Sequence, residues 1–261
     1  MRNIKRSLLI PLIITLLISL LFGIGLGLKL QHDRAARLGV VTSSRSLKIL
    51  ALAGAIPAAV LKGFRSSENI AVELVEEPTP QALAKRFQSE PNLDLVTLLS
   101  FQIPEAVREL RIQTLRMTDI VGFRSVSRDF VDLPGEKASV VPFFWGVIQL
   151  EEGGPKPEIL LNSLKLNSVR NNEGALNTPE IENGTALLWI LNFAMATKSN
   201  RTAEVNSFIG YMLRPQVAIE IATLTGQAST NSGLDSSALA SQLKPSYLRQ
   251  IPLTKLVLLN H

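Results

Sequence analysis

Few residues in this chain have the types and spacing that catalysis requires. The two histidines, His32 and His261, lie in a polar stretch and at the last position, so neither is expected in a formed pocket. Ser241 and Lys244 have Ser-x-x-Lys spacing, but Pro245 predicts a helix end at that point. The chain has no cysteine, which excludes disulfides, thiolate metal sites and a cysteine nucleophile. With no metal-ligand spacing either, the sequence predicts a protein that is not an enzyme and that has no metal and no cofactor.

The glycines of Gly23–Gly27 alternate as in part of a phosphate-binding loop, but they lie inside an uncharged apolar run, Leu8–Leu28. As a helix this run is long enough to cross the roughly 30 Å hydrocarbon layer of a membrane. It is also longer than the apolar stretch of about 7–15 residues in a cleaved signal peptide, which remains the alternative. We therefore predict an uncleaved signal anchor over residues 1–28, with basic residues favouring a cytoplasmic N-terminus.

The remaining chain divides into a polar tether, residues 29–46, and a domain, residues 47–261. This domain has enough apolar residues to bury about 70% of its unfolded surface. The formal net charge of the whole chain, +5, is modest, and its basic residues are scattered among acidic ones instead of forming a stripe. The sequence therefore predicts no nucleic-acid partner.

Strand and helix patterns alternate at short spacing from residue 47 onward. Alternating or continuous apolar residues predict strands over Leu47–Ala53, Ile70–Val75 and Leu93–Leu98. Helical patterns follow each of them, over Ala58–Arg65, over Pro80–Ser89 and from Pro104. This βαβ order predicts an α/β domain built on a parallel sheet.

Further along, apolar residues at helical spacing predict a short helix over Gln216–Leu224. Pro215 is suited to its start, because the first helical position needs no N–H, and Gly226 is a suitable stop. A preceding helix is expected over Phe208–Leu213, so the two helices meet at Pro215.

Five segments, in this order, resemble periplasmic solute-binding proteins of the spermidine/putrescine type, the binding components of ABC importers. The segments are "LKILALAGAIPAAVLKGF" (47–64), "PNLDLVTLLS" (91–100), "SVVPFFWGVIQL" (139–150), the stretch 183–233, and "LKPSYLRQ" (243–250). The resemblance implies that Val140–Leu150 is a strand crossing towards a second lobe and that 183–233 is the return segment. It also implies a periplasmic-binding-protein-like lobe in three α/β/α layers.

Only residues 151–182 stand where members of this family have a second lobe, and they are rich in Gly, Pro and Asn. We predict that these residues are a vestige of that lobe. Because such proteins close two lobes over a ligand, loss of one would remove half of the site.

The resemblance places candidate ligand contacts in the loops after the first and third strands, in the return segment and in the last loop. The candidates are Ser100, Phe101, Trp189 and Gln227. In the last loop, Gln227 and Asn231 are each either a ligand contact or a turn residue that satisfies backbone groups. None of the matched positions carries a carboxylate, and Leu191 stands at the expected acidic one. A polyamine would therefore leave its ammonium groups unpaired, so we expect no tight spermidine or putrescine binding.

Two functions remain open from the sequence. In the first, the chain is a membrane-anchored solute-binding protein that delivers a small organic ligand to an inner-membrane permease. In the second, it is a non-catalytic scaffold that docks on a membrane protein and has lost ligand binding. In both, a single-pass anchor holds the globular domain in the periplasm, at the cytoplasmic membrane.

Overall fold

The computed structural model describes residues 45–131, 139–150, 154–166, 185–237, 244 and 256–257. They belong to one compact unit, Arg45–His261. The predicted anchor, the tether up to residue 44 and most of the predicted vestige lie outside the described residues. Within the described ranges, no helix combines the length and the apolar character needed to span a bilayer.

The strands of the described part form one eight-stranded sheet. They are β1 Ser46–Leu52, β2 Ala71–Glu77, β3 Leu95–Leu99, β4 Ile112–Gln113, β5 Val140–Leu150, β6 Thr185–Ala196, β7 Ala228–Ser229 and β8 Leu256–Val257. The order is β2-β1-β3-β6-β5-β7, with β4 and β8 both paired to β6. β1 runs parallel to β2 and β3, whereas β6 runs antiparallel to β3 and β5. The four predicted strands are confirmed: Val140–Leu150 has the predicted bounds, and the bounds of the other three differ by one or two residues.

β6 is a strand that local sequence patterns do not predict. After Thr185 every residue of this strand is buried. A strand covered on both faces has no polar alternation, and a continuous apolar run cannot be told from a buried helix by periodicity.

Seven helices connect the described strands. They are α1 Ala58–Glu68, α2 Pro80–Ser89, α3 Ile103–Arg108, α4 Arg128–Val131, α5 Pro157–Asn162, α6 Thr202–Met212 and α7 Pro215–Thr225. Pro215 is the first residue of α7, and Gly226 ends that helix with φ 71°. The predicted meeting of two helices at this proline is confirmed, although α6 begins at Thr202 and not at Phe208.

The helices lie in two layers on opposite faces of the sheet. α1 carries the chain from β1 to β2, and α2 carries it back across β1 to β3, so two right-handed crossovers place them on opposite faces. Contacts agree with this placement, since α1 packs with α6 and α7, while α2 packs with α5. The main hydrophobic core fills the space between the sheet and these helices.

β5 and β6 form a long antiparallel ribbon that extends past the end of β3. β3 pairs only with Leu191–Met195 of β6, whereas β5 pairs with β6 from Thr185 to Ala194. One face of the ribbon belongs to the main core. The other holds a small cluster of Phe130, Trp145, Val147, Ala186, Leu188, Ile190 and Ala228.

Part of the predicted vestige, residues 154–166, packs on the lobe itself. Its helix α5 contacts α2. Leu161, Leu164 and Leu166 are buried and belong to the main hydrophobic core. In its described part, therefore, this segment contributes to the core of the lobe.

Candidate functional site

The candidate site lies at the carboxyl edge of the parallel strands, where the loops after β1 and α7 meet. Gln227, in the α7–β7 loop, donates from Nε2 to the carbonyl oxygen of Gly54, in the loop after β1, at 3.3 Å. Gly54 has φ 80°, a left-handed conformation that favours glycine. The Gly54 N–H donates to the Glu76 carboxylate at 3.0 Å, so both backbone polar groups of Gly54 are hydrogen-bonded.

Two of the four candidate residues lie in one row across the sheet. Gly146 on β5 pairs with Trp189 on β6, and Trp145 pairs with Ala228 on β7. Gln227 precedes Ala228, so the same antiparallel register places it beside Gly146. Because residues in one row of a sheet project to the same side, Trp189 and Gln227 share a face, with Gly146 between them.

The indole of Trp189 lies flat over Gly146 and extends towards β7. A Cβ at position 146 would be 2.6 Å from Cε2 of the ring and 2.8 Å from Nε1, and it would also overlap Cζ2. Only glycine permits this approach. Trp189 is 4% exposed and belongs to the main hydrophobic core, and no described residue accepts a hydrogen bond from its Nε1.

Gln227 contributes an acceptor without a partner. The residue is 3% exposed, and its Oε1 makes no hydrogen bond in the described part of the chain. The orientation of this amide is fixed by chemistry, because the Gly54 carbonyl can only accept and must therefore face the amide nitrogen. A buried acceptor left unpaired costs about 1–3 kcal/mol, so its presence calls for an explanation.

The other two candidates lie on the β3 side of β6. Ser100 begins a 3₁₀ turn, Ser100–Gln102, directly after β3. Its hydroxyl accepts from Asn192 Nδ2 at 3.2 Å and approaches the Ile190 carbonyl at 3.5 Å. Phe101 is partly buried against the main core. Ser100 therefore contacts Ile190, the residue next to Trp189, but the described hydrogen bonds of its hydroxyl are with strand β6.

Sequence reasoning missed Asn192, the polar residue that joins these strands. It is 2% exposed, and its Nδ2 lies 3.2 Å from the Leu98 carbonyl and 3.1 Å from the Ile190 carbonyl. Leu191, the position that the resemblance singles out, is one residue earlier. A single asparagine within the apolar run "TALLWILNFAMA" is the signal that could have found it.

Asn231, by contrast, acts as a turn residue. Its Nδ2 donates to the Leu213 carbonyl at 2.6 Å, and its Oδ1 accepts from Gly233 N–H at 2.8 Å. Both ends of the side chain are therefore occupied by backbone groups. The turn interpretation of this residue fits the structure, whereas Gln227 has a free oxygen.

A cavity of about 290 Å³ lies at the opposite, amino edge of β3. Its lining residues are Phe87, Gln88, Glu90, Asn92, Leu93, Glu109, Leu110, Arg111, Ala196, Thr197 and Lys198. Several of its charges are already paired within the protein, as in the contact of 2.6 Å between Glu90 and Lys48. Far from the convergent loops, this cavity is a weaker candidate than the row of Trp189 and Gln227.

The shifted pKa values lie outside this row: those of Lys48 and Glu90 belong to an ion pair at the amino edge of β1, and those of Glu68, Glu204 and Tyr211 to the helices behind the sheet. Hydrogen bonds from Arg214, at 2.6 Å, and from Ser207 hold the pKa of the Glu68 carboxyl below its usual range, although partial burial opposes the shift. Burial raises the pKa of Tyr211, over whose ring the Arg214 guanidinium lies at 4.9 Å. These contacts join α1 to α6 and α7.

Comparison with solved structures gives the class of this fold. Over 84% of its length, this chain superposes on 94% of the spermidine/putrescine ABC transporter substrate-binding protein of Streptococcus pneumoniae, with a TM-score of 0.65 and 13% identity. A putative spermidine/putrescine ABC transporter protein of Listeria monocytogenes gives 0.62 at 15% identity, with 82% of this chain and 93% of that one covered. A maltodextrin-binding protein of L. casei gives 0.56 at 10% identity, over 83% and 88%.

These likenesses establish the fold: the chain contains an α/β lobe of the periplasmic-binding-protein type. No protein-family model matches the sequence, and no curated protein matches it. At identities of 10–15%, the similarity concerns the fold alone. The ligand must therefore be inferred from the residues of this chain.

Proposed function

We propose that this chain is the solute-binding component of a membrane importer, which presents a small organic ligand to an inner-membrane permease. The observation that carries the proposal is the row at the carboxyl edge of the sheet. There, Trp189 and Gln227 lie on one face of the sheet beside the turn at Gly54, and Gln227 Oε1 is a buried acceptor with no partner among the described residues. In open α/β sheets, ligands bind in the crevice at the carboxyl ends of the strands.

The proposal includes a membrane anchor over residues 8–28 that holds the domain on the periplasmic face. Mass spectrometry of the mature N-terminus, together with membrane fractionation, tests this part. An intact N-terminus in the membrane fraction is expected. A new terminus between Gly25 and Ala36, with the protein in the soluble fraction, would contradict the anchor.

The proposal also names a permease as the partner. Cross-linking of the full-length protein in native membranes, followed by identification of the cross-linked chains, tests this part directly. An ABC-importer permease is expected among the products. If a membrane protein of another class is captured instead, and no small molecule binds, the protein is the scaffold that the sequence left as the alternative.

The structural neighbours are named for different ligands, which range from spermidine and putrescine to maltodextrin. A shared fold therefore does not choose the ligand of this chain. The choice depends on which polar groups the row presents.

A further inference from the structure

The polar groups of the row indicate which class of ligand it would bind, provided that the chain has the proposed solute-binding function. The indole Nε1 of Trp189 is a donor only, and Gln227 Oε1 is an acceptor only. Gln227 Oε1 is buried without a partner in the described part of the chain, and no described residue accepts from the Trp189 N–H. The two groups lie on one face, on either side of Gly146.

From this arrangement we infer that the site takes an uncharged polar ligand that has both a hydrogen-bond acceptor and an O–H or N–H donor. The acceptor of the ligand receives the Trp189 N–H, and its donor binds Gln227 Oε1. A vicinal diol, as in a sugar, and a carboxamide both have this pattern. The ligand class therefore differs from that of a polycation binder.

The charges around the row favour a neutral ligand. Neither member of the row is ionisable, and the carboxylate that touches the adjoining turn is Glu76. Glu76 is exposed, and one of its oxygens is held by the Gly54 N–H. A buried ammonium without a paired carboxylate loses several kcal/mol of hydration, whereas a hydroxyl or an amide loses far less.

Burial makes the match between polar groups decisive. Trp189 is 4% exposed and Gln227 is 3% exposed, so a ligand that reaches them is almost fully enclosed. A ligand without a donor would leave Gln227 Oε1 unpaired, and sites of this kind reject such analogues strongly. Because the row is covered in this structure, binding requires neighbouring side chains to separate.

The test is calorimetric titration of the full-length protein with millimolar D-glucose, propionamide and spermidine. Glucose presents vicinal hydroxyls, propionamide presents a carboxamide, and spermidine presents separated ammonium groups. Binding of at least one uncharged probe, more tightly than spermidine, is expected. Which of the two binds better distinguishes a sugar-like from an amide-like ligand.

Matched variants connect binding to the row. Gln227→Met keeps the length of the side chain and removes the amide, and Trp189→Phe keeps an aromatic ring and removes the N–H. Each is expected to weaken binding of the uncharged probe by about tenfold, the loss that corresponds to one net hydrogen bond. Trp145→Phe is the control, because Trp145 lies on the opposite face and donates to the Ser229 carbonyl at 3.1 Å. It should change the affinity less than twofold.

Three results would overturn the inference. Tighter binding of spermidine than of both uncharged probes would make the ligand class wrong while leaving the solute-binding function in place. Equal weakening by Trp145→Phe and Trp189→Phe would place binding elsewhere in the domain. If no probe binds, Gln227 Oε1 is a structural group satisfied by water; the proposed function then depends on the permease cross-linking, which is independent of these titrations.

Discussion

The contact between Trp189 and Gly146 predicts that Gly146→Ala destabilises the domain. Contacts of a Cβ normally begin at 3.4 Å, whereas a Cβ at this position would be 2.6 Å from Cε2 of the indole. Because Cζ2 would be closer still, the ring would have to move by at least roughly 0.8 Å within a close-packed core. Overpacking of this kind costs about 1–3 kcal/mol.

The sign of the stability change in Gly146→Ala distinguishes a glycine that is required by the Trp189 ring from an ordinary strand glycine. In a strand interior without such a contact, replacing glycine by alanine stabilises a protein by about 0.5–1 kcal/mol. For a domain of this size, 1 kcal/mol corresponds to about 2–4 °C in melting temperature. We therefore expect Gly146→Ala to lower the melting temperature of the full-length protein by about 2–12 °C.

Thermal and urea unfolding of four proteins would measure this contact: wild type, Gly146→Ala, Trp189→Leu and the double variant. The smaller leucine removes the overlap, so Gly146→Ala should cost little or nothing in the Trp189→Leu background. The coupling free energy should be about 1–3 kcal/mol. A neutral or stabilising Gly146→Ala, or the same penalty in both backgrounds, would refute this account of the glycine.

Three further predictions concern the support of the site. Asn231→Ala should lower the unfolding free energy by about 1–3 kcal/mol. The Leu213 carbonyl loses its donor at 2.6 Å and keeps only the Ser125 hydroxyl at 3.3 Å, and the Gly233 N–H loses its acceptor. Leu161→Ala should lower it by about 2–5 kcal/mol, because the side chain is 2% exposed within the main core. Chiefly the hydrogen bond from Arg214 holds the pKa of Glu68 below its ordinary value, so the charged carboxylate stabilises the fold at neutral pH. This contribution should be lost as the pH falls through the folded pKa. Glu68→Gln should remove that acid-dependent part, by at most about 1 kcal/mol, because the pair is partly exposed.

Exposed neighbours provide the controls for these variants. Ile159→Ala, on the same helix as Leu161 but 58% exposed, and Gln216→Ala, at the exposed start of α7, should stay within about 0.5 kcal/mol of wild type. Glu220→Gln is the matched control for the pH series. If Leu161→Ala and Ile159→Ala cost the same, α5 does not pack on the core as described. If the unfolding free energy of Glu68→Gln falls at acidic pH as much as that of the wild type, the ion pair of Glu68 with Arg214 contributes nothing to stability.

The sequence by itself determined the elements that local patterns specify. Alternating residues marked β2, a continuous apolar run marked β3, and Pro215 and Gly226 marked the ends of α7, because backbone preferences act within a few residues. The order of motifs also indicated the class of fold. The same patterns did not reveal β6, since a strand buried on both faces has no alternation to detect.

The composition of the site was in part predictable, because Trp189 and Gln227 could be named from the resemblance of the segments that hold them. Their shared row could not be predicted. It depends on the register of β6 with β5 and of β5 with β7, which pairs residues 43 and 83 positions apart, as in Gly146 with Trp189 and Trp145 with Ala228. Only the tertiary structure decided that the indole lies over Gly146 and that one oxygen of Gln227 is left without a partner, because strand register and buried hydrogen bonds are fixed by long-range packing and not by local sequence.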